Sequence, residues 1–375
     1  MKIPFNKPYY PVAGLFSVPR AAIAGTLSGN GVFTKKCQQY FENRFHFRKT
    51  LLTTSCSDAL EMAAILANIQ PGDEVIMPSF TFVSTANAFA IRGAKLRFAD
   101  VEHNIPDISP ASIEELITPA TRALVVVHYS GIACDMDRIM KIAAKHNLFV
   151  VEDAAHSIDS YYKGRALGSI GHFGTFSFHE TKNIFCGEGG MLAINDNRFL
   201  SRAEIIWEKG TNRAAFYRGE SSTYNWVDIG SSFLLSDALA AFLYIQLENL
   251  DKIQSARKRI WEHYYHELKP LEEKGVLELP VIPSYATQNG NMFYCILHTQ
   301  VERDNLIVYL KDKGIQSVFH YLPLHSSPYF HEKHDGRPLP NTDRFSQCII
   351  RLPFYYGLKK SQIKYIIGSI KEFFN

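Results

Sequence analysis

The sequence predicts an α/β fold, with a large domain on a mostly parallel central sheet and a smaller C-terminal α/β domain. Three observations carry this. Segments of strand and helix character alternate at a regular pitch from residue 50 to about 180, as in a doubly wound sheet. Ala123-Leu-Val-Val-Val127 is apolar without alternation, which suits a strand covered on both faces. Ser55–Ser57, Phe80–Phe82, Asp153 and Ser177–Lys182 all fall at the ends of predicted strands, where open α/β sheets bind ligands.

In chain order, residues 1–36 are mixed, Gly25, Gly29 and Gly31 break the segment 26–33 into a loop or short turn, and apolar spacing predicts a helix over 34–45. Thr50-Leu-Leu-Thr-Thr54 reads as a strand running through Ser55-Cys-Ser-Asp-Ala-Leu60 into a helix. Free backbone N–H groups at such a turn, with the positive end of the helix, form an anion site; an ordinary N-cap is the alternative. A turn and buried strand follow over 71–78, and Ser79–Thr85 leads into a helix. Strands are expected over 94–100, 123–128 and 148–153, with helices over 113–117 and 136–146. The strand over 148–153 ends in two carboxylates, Glu152 and Asp153.

Residues 191–194 read as a strand antiparallel to its neighbour, because only a short loop precedes it. Helix is expected over 198–209 and a polar loop over 210–230, a length usually functional. A long helical stretch covers 236–268. The smaller domain is placed from residue 250, dividing the chain into 1–249 and 250–375. Its expected elements are strand 292–297, helix 301–313, strand 316–321 and helix 361–374.

Composition narrows the function classes. The 375 residues are 46% hydrophobic and 21% charged, with 26 Phe and 19 Tyr, enough for large cores. A net charge of +3 is too slight to argue for nucleic acid or an anionic membrane. No apolar run approaches the roughly 20 residues of a membrane span, and the N-terminal residues show no apolar signal region. The expectation is a cytoplasmic protein whose six scattered cysteines are reduced thiols, with no metal site.

One stretch stands out, Phe176-Ser-Phe-His-Glu-Thr-Lys-Asn-Ile-Phe-Cys-Gly-Glu-Gly-Gly190. Its lysine, Lys182, lies between an apolar strand end and a glycine turn. A lysine that loses solvation there has a lowered amine pKa and becomes a nucleophile for carbonyl carbon; taken alone, a surface lysine is the alternative. With Lys182 go a strand-end aspartate, a phosphate-type turn and an aromatic residue. Pyridoxal phosphate needs that set: an amine for its aldehyde, a carboxylate for its pyridine nitrogen, a cradle for its phosphate and a flat side chain against its ring.

On these residues the sequence resembles the DegT/DnrJ/EryC1/StrS family of sugar aminotransferases, which have the aspartate aminotransferase-like fold (type I). The motifs are Ser55–Leu60, Gly72–Ile76, Pro78–Phe82, Glu152–His156 and Ser177–Gly190. The resemblance implies Lys182 as Schiff-base lysine and proton shuttle, and Asp153 as partner of the pyridine nitrogen. It implies His156 near the ring oxygen, Phe82 stacked on the ring, and Cys56, Ser57 and Ser177 at the phosphate. The chain departs from the family pattern twice. Cys56 stands where the phosphate turn usually has glycine, and Ser232 stands where a neighbouring subunit usually offers asparagine.

Ile3–Asn6, His179–Asn183, Glu208–Arg213 and Asp228–Ser232 are similar to one subgroup, the dTDP-4-oxo-6-deoxyglucose transaminases. That implies transfer from L-glutamate to a dTDP-linked keto-deoxysugar, through pyridoxamine phosphate, in a homodimer with a shared cleft. Lys209, Arg213, Arg218, His320 and His325 are candidates for holding the diphosphate and sugar; packed or solvated side chains are the alternative. An aminotransferase acting on a 3-keto sugar, or a non-catalytic cofactor-binding regulator, shares the cofactor residues. A dehydratase of the family carries His in place of Lys182.

Overall fold

The structure is a computed structural model that describes residues 2–375. Helices α1 (Ser17–Ile23) and α2 (Val32–Phe45) lead into the alternating part: β1 (Lys49–Thr53), α3 (Cys56–Leu66), β2 (Glu74–Pro78), α4 (Val83–Ala90), β3 (Lys95–Ala99), α5 (Pro110–Leu116), β4 (Thr121–Val127), α6 (Met136–His146) and β5 (Phe149–Asp153). A small hairpin, β6 (Tyr161–Tyr162) and β7 (Arg165–Ala166), precedes β8 (Phe173–Ser177) and β9 (Gly190–Ile194). Helices α7 (Leu200–Trp207), α8 (Arg213–Tyr217), α9 (Asp237–Glu248) and α10 (Leu250–Glu273) follow. The chain ends with β10 (Tyr294–Ile296), α11 (Gln300–Asp312), α12 (Pro340–Cys348), β11 (Ile349–Arg351) and α13 (Lys360–Phe373).

Seven strands form one sheet in the order β1-β9-β8-β5-β4-β2-β3. The pairs β2–β3, β2–β4, β4–β5 and β5–β8 are parallel. Strand β9 is antiparallel to both β1 and β8, as expected from the sequence. Burial explains the apolar run in β4: Ala123 and Val125 join the core under α3 and α4, while Leu124 and Val126 face α5 and α6. Both faces of the strand are covered, so neither set of side chains is polar.

The parallel strands bring the C-terminal ends of β1, β2, β5 and β8 to one edge of the sheet. Local chemistry fixes these ends. Ser55 caps α3, its Oγ accepting from the Asp58 N–H at 3.1 Å. Glu152, fully buried, accepts from the N–H groups of Gly168, Ile170 and Gly171 at 2.8, 2.6 and 2.6 Å. It also meets His128 Nε2 at 2.9 Å. Adjacent strand residues point to opposite faces, so this network anchors the end of β5 from behind Asp153.

A second core gathers Ile260, Trp261, Tyr264 and Leu268 of α10 with Phe293, Ile350 and Ile366, and Ile3 packs into it too. The first turn of α10, through Leu250 and Ile253, belongs instead to the core around α2 and α9.

The structure departs from expectation in several places. The helical stretch from 236 is two helices, parted at Asn249, whose φ of −106° and ψ of 8° leave the helical region. The loop over 210–230 contains α8. Residues 316–321 form no strand: only Val318 makes a bridge, exchanging backbone hydrogen bonds with Arg351 at 2.8 and 3.2 Å. Strand β11 pairs with β10 and holds the place beside it, which leaves His320 and Tyr321 at the wall of a cavity. Helix α12 was not anticipated, although Pro340 in its first turn is a usual start signal.

Candidate active site

A cavity of about 640 Å³ opens at the C-terminal edge of the sheet. Its walls come from the β1–α3 turn, the start of α4, the ends of β5 and β8, the loop after β8, and Asn291, Met292, His320, Tyr321 and Arg351 from the C-terminal part. Among the described residues no helix is long and apolar enough to cross a membrane.

Lys182 stands in the loop between β8 and β9. The loop closes on itself: Phe178 N–H donates to Gly189 O at 2.8 Å, and Cys186 N–H to Phe178 O at 2.9 Å. Lys182 N–H bonds His179 O at 2.9 Å. Its neighbour Asn183 turns inward, donating to Gln254 Oε1 at 2.9 Å and accepting from Asn291 Nδ2 at 2.9 Å. The loop is thus tied to α10 and to the C-terminal wall. Lys182 itself is half-buried and faces the cavity. Burial lowers its amine pKa to about 8; Cys56 and Asp153 oppose that shift, and the nearby Arg351 adds to it. An appreciable fraction is therefore neutral, and nucleophilic, near neutral pH. In cofactor-free protein, the rate of reaction between Lys182 and an added aldehyde should rise through pH about 8. An ordinary lysine rises near pH ~10.4. Stopped-flow absorbance against pH measures this.

Asp153 is buried at the end of β5. Its Oδ2 accepts from Thr85 Oγ1 at 2.7 Å and its Oδ1 from the Ala155 N–H at 3.2 Å. Burial pushes its pKa up; the two hydrogen bonds and the Lys182 charge act against that. The carboxylate is aimed and prepaid with donors, and a cationic partner in the cavity favours its ionised form. His156 is also buried, and its Nδ1 accepts from the Ser130 N–H at 3.4 Å. Burial, with Lys182 and Arg351 nearby, holds its pKa well below the usual histidine range, so it is a neutral imidazole.

The turn before α3 provides an anion cradle. Cys56 and Ser57 begin the helix and line the cavity with Ser177. Ser57 Oγ bonds Ser84 Oγ at 2.7 Å, joining the starts of α3 and α4. Gly190 lies directly under this turn: a Cβ on it would fall 2.3 Å from the Ser55 carbonyl carbon and oxygen. Both are backbone atoms and cannot swing aside. Gly190→Ala should therefore destabilise the protein by about 1–3 kcal/mol and weaken anion binding at the turn, measured by denaturant unfolding and phosphate titration. Phe82 stands at the cavity 56% exposed, so a face of its ring is open to a flat ligand.

The structure thus brings together Lys182, Asp153, Cys56, Ser57, Phe82, His156, Ser177 and His320 around one cavity. His320 bonds the Tyr129 hydroxyl through Nδ1 at 2.8 Å, and burial holds its pKa well below the usual range. His325 is not brought in: its Nδ1 meets Ser79 Oγ at 2.9 Å and its Nε2 lies 3.5 Å from Asp343. Lys209, Arg213, Arg218 and Ser232 are exposed and do not line this chain's cavity. Arg218 pairs with Glu204 at 3.0 Å and Glu220 at 2.8 Å. Sequence reasoning missed Thr85, Ser84, Asn291 and Arg351. Arg351 had a signal, a lone charge in the apolar run Cys348-Ile-Ile-Arg-Leu-Pro-Phe354.

Comparison with known proteins agrees with this geometry. A sequence model of the "DegT/DnrJ/EryC1/StrS aminotransferase family" matches residues 17–371. The spore coat polysaccharide biosynthesis protein SpsC of Bacillus subtilis (strain 168) is 31% identical over 384 residues, covering 99% of this chain and 96% of its own length. Among solved structures, the aminotransferase TlmJ from Streptoalloteichus hindustanus superposes with a TM-score of 0.91 at 28% identity, covering 100% of this chain and 99% of that one. DesV of S. venezuelae, solved with a ketimine intermediate, gives a TM-score of 0.88 at 27% identity, covering 99% and 98%.

Proposed function

Because the chain belongs to the DegT/DnrJ/EryC1/StrS aminotransferase family, and so is a pyridoxal phosphate-dependent sugar aminotransferase, we propose that it moves an amino group from L-glutamate to dTDP-4-oxo-6-deoxyglucose. The product is a dTDP-4-amino-4,6-dideoxyhexose, formed in the cytoplasm as a building block for surface polysaccharide. The observation that best supports the choice of sugar is the position of the subgroup's motifs. Phe5, Asn6, His179 and Thr181, from two of those motifs, line the same cavity as Lys182.

The residues fit the cofactor. Lys182 presents an amine with an appreciable neutral fraction for the aldehyde, the Ser55–Ser57 turn offers N–H groups for the phosphate, and Phe82 offers an uncovered ring face. When bound, pyridoxal phosphate supplies an electron sink for the carbon that loses its proton. Asp153, held by Thr85 and Ala155, would be the carboxylate that pairs with the pyridine nitrogen. Lys182 would hold the cofactor's aldehyde and, as a free amine, would be a base of suitable pKa to move the donor's proton. The same lysine returns it on the sugar side, so donor and acceptor use one site in turn and the kinetics are ping-pong.

Lys209, Arg213, Arg218 and Ser232 fit a role in a neighbouring copy's cavity. They lie on or beside an exposed segment that also carries Tyr217, Tyr224 and Trp226, which are 71%, 55% and 83% exposed. A homodimer with shared clefts covers that apolar surface. We place the cofactor-bearing domain at 1–249 and the smaller domain at 250–375.

The test is a reaction of purified protein with pyridoxal phosphate, L-glutamate and dTDP-4-oxo-6-deoxyglucose, with the product read by NMR. An amine at C4 is expected. No product from this sugar, with turnover of a 3-keto isomer, overturns the assignment of the sugar.

A further inference from the structure

Lys182 is held unevenly. On its N-terminal side Glu180 and Thr181 are exposed, and the Lys182 N–H bonds His179 O inside the same loop. On its C-terminal side Asn183 is the first buried residue, and its side chain uses every hydrogen it has. Nδ2 donates to Gln254 Oε1 at 2.9 Å and to Asn289 O at 3.0 Å, while Oδ1 accepts from Asn291 Nδ2 at 2.9 Å. These partners are buried and held in turn. Asn289 Nδ2 donates to His156 O at 2.7 Å and Ile158 O at 2.8 Å, and its Oδ1 accepts from the Asn291 N–H at 3.0 Å. Gln254 Nε2 donates to Ile158 O at 3.3 Å. Arg257, in the next turn of α10, donates to Gly290 O at 2.8 Å and Asn291 O at 2.7 Å. The knot joins three parts of the cavity wall: the Lys182 loop, the chain past Asp153 at His156, and Asn291–Met292. A fully satisfied buried polar network specifies one geometry, where apolar packing tolerates several.

We propose that Asn183 is a positioning residue for amino transfer: anchored by Gln254, Asn289 and Asn291, it fixes where Lys182 takes up and returns the proton. This rests on the aminotransferase reading above. The Lys182 amine sits at the end of a flexible four-carbon stem, so its reach depends on where the backbone beside it is fixed. Taking the proton from the donor carbon needs the nitrogen within hydrogen-bond reach of it, and a misplacement of about 1 Å costs about a hundredfold. With its N-terminal neighbours exposed, Lys182 is aimed from the Asn183 side. The same anchor keeps the amine under the cover that lowers its pKa. The charged or titratable groups acting on Lys182 are Cys56, Asp153 and Arg351, and a change at Asn183 removes none of them.

The test compares wild type with Asn183→Ala in two assays. In the first, holoenzyme is mixed with L-glutamate and single-turnover formation of 2-oxoglutarate is followed against glutamate concentration, per mole of bound cofactor. Asn183→Ala should lower the saturating rate about 10–100-fold and change the half-saturating glutamate concentration less than about threefold, the split expected when an interaction made in the transition state is lost. In the second, the pH dependence of aldehyde addition to cofactor-free protein should move up from about 8 toward the ordinary ~10.4, because the amine gains solvent. The variant should also melt lower, since buried amides lose partners, but a structural role alone moves neither assay. An unchanged saturating rate or an unchanged pH profile overturns the assignment, whatever the melting temperature. If Asn183→Ala does not fold, Gln254→Leu takes its place: it leaves Asn183 bonded to Asn289 and Asn291 and should show both changes in smaller measure, about threefold in rate. No change in that variant overturns the assignment equally. Wild-type holoenzyme that forms no 2-oxoglutarate overturns the aminotransferase reading instead, and the aldehyde profile, which needs no turnover, separates that failure from this one.

Discussion

Lys182→Ala should abolish turnover, by about 10⁴-fold or more, because on the proposed assignment it removes both the amine that holds the cofactor and the base that moves the proton. The two buried histidines and the cysteine at the cavity do not stand in for it. His156 and His320 are neutral imidazoles engaged by Ser130 and Tyr129. The Cys56 thiol is pushed far up by burial and is not a thiolate at neutral pH. The fold should survive the change, since the loop is held by its backbone and by Asn183 and not by the lysine side chain. The measurements are steady-state amino-sugar formation and borohydride trapping of cofactor on the protein. Wild type is trapped on the peptide containing Lys182, and the variant is not labelled.

Asp153→Asn should lower turnover by about 10²–10³-fold, the scale of losing a preorganised electrostatic contact to the reacting system. The substitution keeps size and shape; the amide oxygen can still accept from the Ala155 N–H, and the amide nitrogen then faces the Thr85 hydroxyl, which can turn to accept. What is lost is the negative charge that, on the proposed assignment, would keep the pyridine nitrogen protonated. Cofactor affinity should fall less than turnover does. A variant in which affinity collapses while the rate of bound enzyme is unchanged argues that Asp153 serves only to hold the cofactor. Thr85→Val is the milder counterpart, removing the 2.7 Å hydrogen bond and leaving the charge.

Much of the site was legible in the sequence because its parts are local. A strand end followed by a capped helix can be read from Ser55-Cys-Ser-Asp58, and a carboxylate closing an apolar strand from Val150-Val-Glu-Asp153. Their convergence follows from parallel strands, which place every C-terminal end on one edge. Glu152 and Asp153 were read together, but only the sheet separates them, one facing the cavity and the other the backbone of 168–171. What escaped depends on long-range placement. Thr85 is an ordinary hydroxyl in a helix until the sheet sets it against Asp153, 68 residues away. Arg351 and Asn291 arrive from the far end of the chain.

The two histidines 320 and 325 show the limit most clearly. They are the same residue type five positions apart, yet only one lines the cavity. The difference lies in partners: Tyr129 holds His320 at the wall, and Ser79 and Asp343 hold His325 away from it. No periodicity separates them, because residues 316–325 form no regular element. Likewise Lys209, Arg213 and Arg218 look like ligands for a diphosphate in sequence, but in this chain they lie outside the cavity, exposed on a different surface.

The most direct measurement is an absorbance titration of the purified protein. Pyridoxal phosphate is added first, then L-glutamate, then dTDP-4-oxo-6-deoxyglucose. A visible band that forms with the cofactor, fades with glutamate and returns with the keto-sugar is the expected result. It establishes that one cavity, with Lys182 in it, takes an amino group from one partner and passes it to the other. A band that glutamate does not change, or no band at all at saturating cofactor, contradicts that claim.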